Sequence, residues 1–181
     1  MTMLTRWGRA LDPNAVLPEY PRPQLVRGSY INLNGYWDYA ITRGGDAPRG
    51  YDGQILVPFS PEATRSGVER TLSPEGTLGS RRAIPAERRE GERLILHFGA
   101  VDQEAEVYIN DSLVASHRGG YTAFEVDITD FISDGENILT VRVKDATYTN
   151  EYTRGKQRTK RGGIWYTPQS GIWQTVWMEY V

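Results

Sequence analysis

Residues 93–109 read Arg93-Leu94-Ile95-Leu96-His97-Phe98-Gly99-Ala100-Val101-Asp102-Gln103-Glu104-Ala105-Glu106-Val107-Tyr108-Ile109. Leu94, Leu96 and Phe98 alternate with Arg93, Ile95 and His97. Ala105, Val107 and Ile109 alternate with Glu104, Glu106 and Tyr108. Each run therefore has one apolar face at the two-residue period of a strand. The period recurs to either side, in Trp37, Tyr39 and Ile41, in Phe124, Val126 and Ile128, and in Leu139, Val141 and Val143. Turn formers separate the runs: Asn34-Gly35, Arg43-Gly44-Gly45-Asp46, Asn110-Asp111, Gly119-Gly120 and Asp134-Gly135. Short strands at this spacing specify an all-β sandwich or barrel. Asn110-Asp111-Ser112 also matches an N-glycosylation acceptor, but between Val107-Tyr108-Ile109 and Leu113-Val114-Ala115 it reads as a hairpin turn.

Helical signal is thin. Residues 86–92 are polar all round and read as a solvated loop or a single turn. Residues 1–22, with Pro13, Pro18 and Pro21 and then Pro23, read as an extended arm ahead of one domain, 23–181. Two irregular stretches, 58–80 and 148–167, exceed the roughly 12–15 residues beyond which a loop in a compact domain is usually functional, so binding residues are sought there.

With 181 residues the chain is shorter than the roughly 250 that a (β/α)₈ barrel usually needs. Twenty-one Lys and Arg against 23 Asp and Glu give a net charge of −2, and the pI is about 5.8. No basic field holds a nucleic acid or an anionic membrane, and neither is expected as a partner. The chain has no cysteine, which excludes disulfides, a thiolate nucleophile and Cys-ligated metals. The start of the chain lacks the apolar stretch of a secretory signal, so a cytoplasmic location is expected. His97 and His117 are the only histidines, and a facial triad would need both plus a carboxylate such as Asp102; both read instead as surface or turn residues, with His97 on the polar face of its strand. No nucleophile elbow, zincin pair or phosphate-binding loop is present. The reading therefore assigns no catalytic residue, no metal and no cofactor.

Three of the five tryptophans fall in the last stretch, where Gly162-Gly163-Ile164-Trp165-Tyr166-Thr167-Pro168-Gln169-Ser170-Gly171-Ile172-Trp173-Gln174-Thr175-Val176-Trp177 runs toward the end of the chain. Aromatic faces stack on the C–H faces of sugar rings while Gln, Arg and carboxylates hydrogen-bond hydroxyls, so an aromatic loop on a β-sandwich suggests carbohydrate binding. Trp173 and Trp177, in a strand, read as core or interface residues. Trp165, flanked by glycines, stays open between core filling and a sugar contact. The basic run 154–161 is read as a solvated loop or as one that carries donors toward a substrate hydroxyl.

Asn32-Leu33-Asn34-Gly35-Tyr36-Trp37-Asp38-Tyr39, His97-Phe98-Gly99-Ala100-Val101-Asp102, His117-Arg118-Gly119-Gly120-Tyr121-Thr122-Ala123-Phe124 and Gly171-Ile172-Trp173-Gln174-Thr175-Val176-Trp177 together resemble the N-terminal sugar-binding domain of glycoside hydrolase family 2, which includes β-galactosidases and β-glucuronidases. The resemblance implies a jelly-roll β-sandwich, galactose-binding-domain-like. It also implies a parent retaining exo-β-glycosidase whose downstream immunoglobulin-like and barrel domains are this domain's partners, with the catalytic glutamates in the barrel. On that basis the chain alone is non-catalytic and binds a β-glycoside weakly. The positions matching the family's pocket loops are Glu62, as a hydroxyl acceptor, Arg154, Lys156 and Gln157, as donors, and Trp165, as a ring face. Three positions depart from the family: Leu78-Gly79-Ser80 stands before Arg81-Arg82 where an aromatic pair is common, Asp111 stands where the hairpin usually has glycine, and Gly163 stands where some relatives have a carboxylate. The alternative reading is an autonomous carbohydrate-binding module for a polysaccharide.

Overall fold

Alternating burial follows the alternating sequence in the computed structural model, which describes residues 4–45, 48–147 and 152–181. The first three residues of the arm, Asp46 of the second turn and the first four residues of the 148–167 loop lie outside the described residues. The strands are β1 (Ile31–Asn32), β2 (Gly35–Arg43), β3 (Gly53–Val57), β4 (Gly76–Ile84), β5 (Leu94–Phe98), β6 (Val101–Asp102), β7 (Glu104–Ile109), β8 (Ser112–Arg118), β9 (Phe124–Asp127), β10 (Asn137–Lys144), β11 (Gly171–Ile172) and β12 (Val176–Tyr180). They form a four-stranded sheet in the order β1-β12-β5-β9, a six-stranded sheet in the order β3-β2-β4-β10-β7-β8 and a short β11-β6 pair, all antiparallel. Leu94, Leu96, Phe98, Val176 and Met178 meet Trp37, Leu78, Val107, Leu139 and Val141 in one core, as expected of a jelly-roll sandwich. Asn110 and Asp111 both take left-handed backbone, φ 48° and 66°, which is the hairpin turn expected of them. The Asn110 amide donates to Asn137 Oδ1 at 2.8 Å and its oxygen accepts from Ile138 N at 2.9 Å, so the side chain is spent inside the fold.

Three expectations are corrected. The 58–80 loop ends at residue 75, because β4 begins at Gly76. β4 lies between β2 and β10, and Thr77, Leu78, Gly79 and Ser80 are all buried, so covering on both faces erases the two-residue pattern. The arm is not extended throughout: Arg6–Ala10 coil into a short helix, α1, capped by the Thr5 hydroxyl, which accepts from Gly8 N at 3.0 Å. Further on, Val16 is buried and its carbonyl accepts from the Asn32 and Asn34 side chains.

The third correction is His97. It does point away from the core, yet it is buried, because residues 20–27 cover the outer face of the four-stranded sheet. Its Nδ1 lies 3.0 Å from Glu125 Oε2 on β9 and 3.2 Å from Arg22 Nη2. Its Nε2 lies 3.1 Å from Glu179 Oε1 on β12, off the line an N–H···O bond needs, so no hydrogen bond joins them. Glu179 is itself buried, accepts from Tyr20 Oη at 2.6 Å and faces Arg27 Nε at 3.8 Å. Trp177 stacks on the His97 ring at 4.8 Å, so it is buried beneath the arm, on the opposite face of β12 from Met178.

Candidate functional site

Pairing of β11 with β6 sets Gly171 opposite Asp102, and this brings the end of the second long loop against the first. Ser170 then joins two carboxylates. Its Oγ donates toward Asp145 Oδ2 at 2.9 Å and lies 3.0 Å from Glu62 Oε1, and its N–H donates to Glu62 Oε2 at 3.0 Å. Glu62 Oε1 also accepts from Leu72 N at 3.1 Å. Gln157 reaches in from the other side, its Nε2 donating to Asp102 Oδ2 at 3.2 Å and to Tyr121 Oη at 3.1 Å while its Oε1 accepts from Gln169 N at 2.6 Å. Ser60 Oγ donates to Gln169 Oε1. The first long loop is thus sewn to the segment that follows the second through Glu62–Ser170 and Ser60–Gln169, and Gln157 ties the second loop to that segment through Gln169.

Beyond Gln157 the chain turns back on itself. Tyr166 N donates to the Lys156 carbonyl at 2.8 Å, and Gly162 and Trp165 exchange backbone hydrogen bonds at 3.0 and 3.1 Å. Gly163 at the tip takes φ 61°, a conformation costly for a side-chain-bearing residue. The Arg158 guanidinium sits 3.8 Å from the centroid of the half-buried Trp165 ring, a cation–π contact that fixes the ring's orientation. Ile164 and Tyr166 are 61% and 67% exposed, and Tyr121 is 48% exposed beside Trp173, so the outer surface is aromatic. Lys156 is exposed on the same turn.

Electrostatics separate this surface from its support. Burial pushes the Asp102 carboxyl up to about 7, with Asp145 and then Glu62 adding repulsion and only Gln157 opposing. Burial also raises Asp145 and Glu62, offset by hydrogen bonds from Thr147 N and Ser170 in the first and from Leu72 N and Ser170 in the second. Asp102 Oδ1 is buried without a hydrogen-bond donor, so its charged form is under-compensated. Three carboxyls therefore lie behind the loops, Glu62 and Asp145 bridged by the Ser170 hydroxyl and Asp102 beside them, instead of facing each other across an open cleft, which is the arrangement glycoside hydrolysis requires.

Of the residues the sequence singled out, the structure brings Glu62 and Gln157 into this cluster and sets Trp165 and Lys156 on the turn outside it; Arg154 is half-buried two residues from Lys156. Trp173 is half-buried, and its Nε1 donates to the Gly120 carbonyl at 2.8 Å. Asp102, Asp145, Ser170 and Tyr121 were not expected here. Asp145 and Ser170 carry no sequence signal beyond being polar residues at strand ends, whereas Tyr121 lies within the Gly-Gly-Tyr string.

Gly120 packs directly on Asp102, and a Cβ there would overlap the carboxylate oxygen and carbon. Gly120→Ala is expected to displace Asp102 from Gln157 and to lower stability by about 1–3 kcal/mol, the usual cost of overpacking. Urea unfolding checks the loss.

The family described as glycosyl hydrolases family 2, sugar binding domain, matches residues 46–178. The chain is 36% identical over 149 residues to a β-glucuronidase of Paenibacillus borealis, covering 77% of this chain and 25% of that protein. It is 35% identical over 95 residues to a β-galactosidase of Thermoanaerobacter pseudethanolicus, covering 51% and 12%. A solved Faecalibacterium prausnitzii β-glucuronidase shares the fold, with TM-score 0.64 and 22% identity over 90% of this chain and 33% of that one. The chain spans a quarter or less of the length of these two curated relatives.

Proposed function

This chain belongs to the sugar-binding domains of family 2 glycosyl hydrolases, and from that premise we propose that it is a non-catalytic wall of a glycosidase's substrate pocket. The parent activity in this reading is that of a retaining exo-β-glycosidase, β-galactosidase-like, with hydrolysis performed by a barrel domain and an immunoglobulin-like domain between the two. A cytoplasmic setting belongs to the same reading; among the described residues no helix is long and apolar enough to cross a membrane. Trp165 offers a ring face to the sugar and Arg154 and Lys156 donate to hydroxyls, while Gln157, whose amide already bonds Asp102, Tyr121 and Gln169, positions the loop that carries them. Glu62, which already accepts backbone hydrogen bonds from Leu72 and Ser170 and lies beside the Ser170 hydroxyl, acts chiefly by holding the wall in place.

The observation that carries this reading is the division of labour at the site. Carboxylates are consumed in the buried cluster, and aromatic faces and donors lie outside it. Each neutral hydrogen bond contributes only about 0.5–1.5 kcal/mol net, so an open wall holds a monosaccharide weakly. Incubating the purified chain with nitrophenyl β-galactoside and β-glucuronide tests the non-catalytic assignment. No release of nitrophenol above the buffer blank is expected, and sustained turnover that Asp102→Asn abolishes would overturn it.

The exposure of Ile164 and Tyr166 favours a second reading, an autonomous module for a polysaccharide. Retention of the chain on an insoluble β-glycan column, lost in Tyr166→Ala, would support that reading over the first.

A further inference from the structure

A second cleft lies on a different surface, the outer face of the six-stranded sheet, and it has a volume of about 570 Å³. Cross-strand register builds its floor: Arg81 on β4, Thr140 on β10 and Tyr108 on β7 lie in one row across the sheet, and Asp38 on β2 continues that row beyond the cleft. Arg81 and Tyr108 are two strands apart, about 10 Å at the usual strand spacing. Tyr51, from the segment before β3, stands over the row with its ring centroid 5.7 Å from the Arg81 guanidinium carbon. On the other side, the Arg142 guanidinium carbon lies 5.9 Å from the Tyr108 ring centroid.

The two arginines differ in their partners. Arg142 is engaged: its Nη1 lies 3.8 Å from Glu106 Oε2 and 3.5 Å from Tyr108 Oη, and its Nη2 donates to the Gly45 carbonyl. Arg81 pairs with no carboxylate within 4 Å among the described residues, although Asp38 is its cross-strand neighbour and Asp111 stands at the rim of the cleft. The cleft therefore offers a guanidinium with no carboxylate within 4 Å among the described residues, near two tyrosine rings and in a volume typical of small-molecule sites. A guanidinium fork matches a carboxylate in a bidentate pair, and tyrosine faces accept the C–H faces of sugar rings.

We propose that this cleft is a second saccharide site, one for an anionic oligosaccharide whose carboxylate pairs with Arg81 while neighbouring rings lie against Tyr51 and Tyr108. It is separate from the loop wall and would hold a charged glycan chain while the pocket handles its terminal residue. A cleft built around one such guanidinium discriminates by charge, and its affinity falls with added salt.

Calorimetric titration of the chain with tetragalacturonate and, separately, with cellotetraose tests the proposal. Tetragalacturonate is expected to bind at least tenfold more tightly than cellotetraose and to weaken as sodium chloride is raised. Arg81→Gln and Tyr51→Ala are each expected to weaken it at least fivefold with unchanged circular dichroism and melting temperature, and Trp165→Ala to leave it unchanged. Equal affinity for the two probes, no binding of tetragalacturonate, or indifference to both cleft variants overturns the proposal. Loss of binding in Trp165→Ala alone also overturns it, by moving the site to the loops and leaving the pocket-wall reading intact.

Discussion

Asp102→Asn is expected to make the chain more stable at pH 8 and to flatten the fall in stability between about pH 4 and pH 7. In the folded chain the Asp102 carboxyl titrates near 7, against an ordinary value of 3.8, because it is buried beside Asp145 and Glu62. Between those two values the folded state holds a proton that the unfolded state has released. Stability therefore decreases as pH rises through this window and levels off above it. The full amplitude is on the order of 4 kcal/mol, since each tenfold change in proton affinity corresponds to about 1.4 kcal/mol. Raised carboxyls at Asp145 and Glu62 act in the same direction. Asparagine removes the titration but places an amide where Oδ1 lacks a partner, so the net gain at pH 8 is smaller, about 2 kcal/mol. At pH 4, where the native carboxyl is already neutral, the variant has no advantage. Urea unfolding of both proteins from pH 4 to pH 8 reads the difference, and parallel curves would show that Asp102 is not a strained charge.

Glu179→Ala attacks the opposite face. It removes the acceptor for Tyr20, the counter-charge for Arg27 and one of the two carboxylates beside His97, all at a position 2% exposed. Removing one member of a buried charge cluster typically costs about 3–5 kcal/mol. The variant is expected to lose about that much and to become sensitive to trypsin at the Arg27–Gly28 bond, since Glu179 ties both the Tyr20 hydroxyl and Arg27 to the sheet. Glu179→Gln keeps an acceptor and should lose less. The His97 imidazole is held below its ordinary value by burial and by Arg22, so it stays neutral and the network weakens as pH falls below about 6.5, the unfolded value. A Glu179→Ala protein with native stability and an uncut arm would show that the arm is held by other contacts.

What could be read in the sequence depended on where each strand lies. β5, β7 and β10 announce themselves because each has one face in the core and residues such as Glu106, Thr140 and Arg142 on the other. β4 does not, because its first five residues are buried on both faces, with Pro48 above Gly79 on the outer one. His97 misled for a related reason: its strand period correctly places it outward, but the cover comes from Tyr20 and Arg22, more than 70 residues earlier, and no local pattern encodes that. At the site, the loops were legible from their length, and Gln157 and Glu62 from the family resemblance. Asp145 and Ser170 were not, because their role exists only once β11 pairs with β6 and brings the loops together.

Which groups meet sugar is measured directly by a backbone amide NMR titration of the chain with galactose. Shifts are expected at Tyr121 and across 154–169, developing over millimolar concentrations, with the β-sandwich core unmoved. Micromolar binding, or saturable shifts that bypass the 154–169 loop, would contradict the pocket-wall assignment.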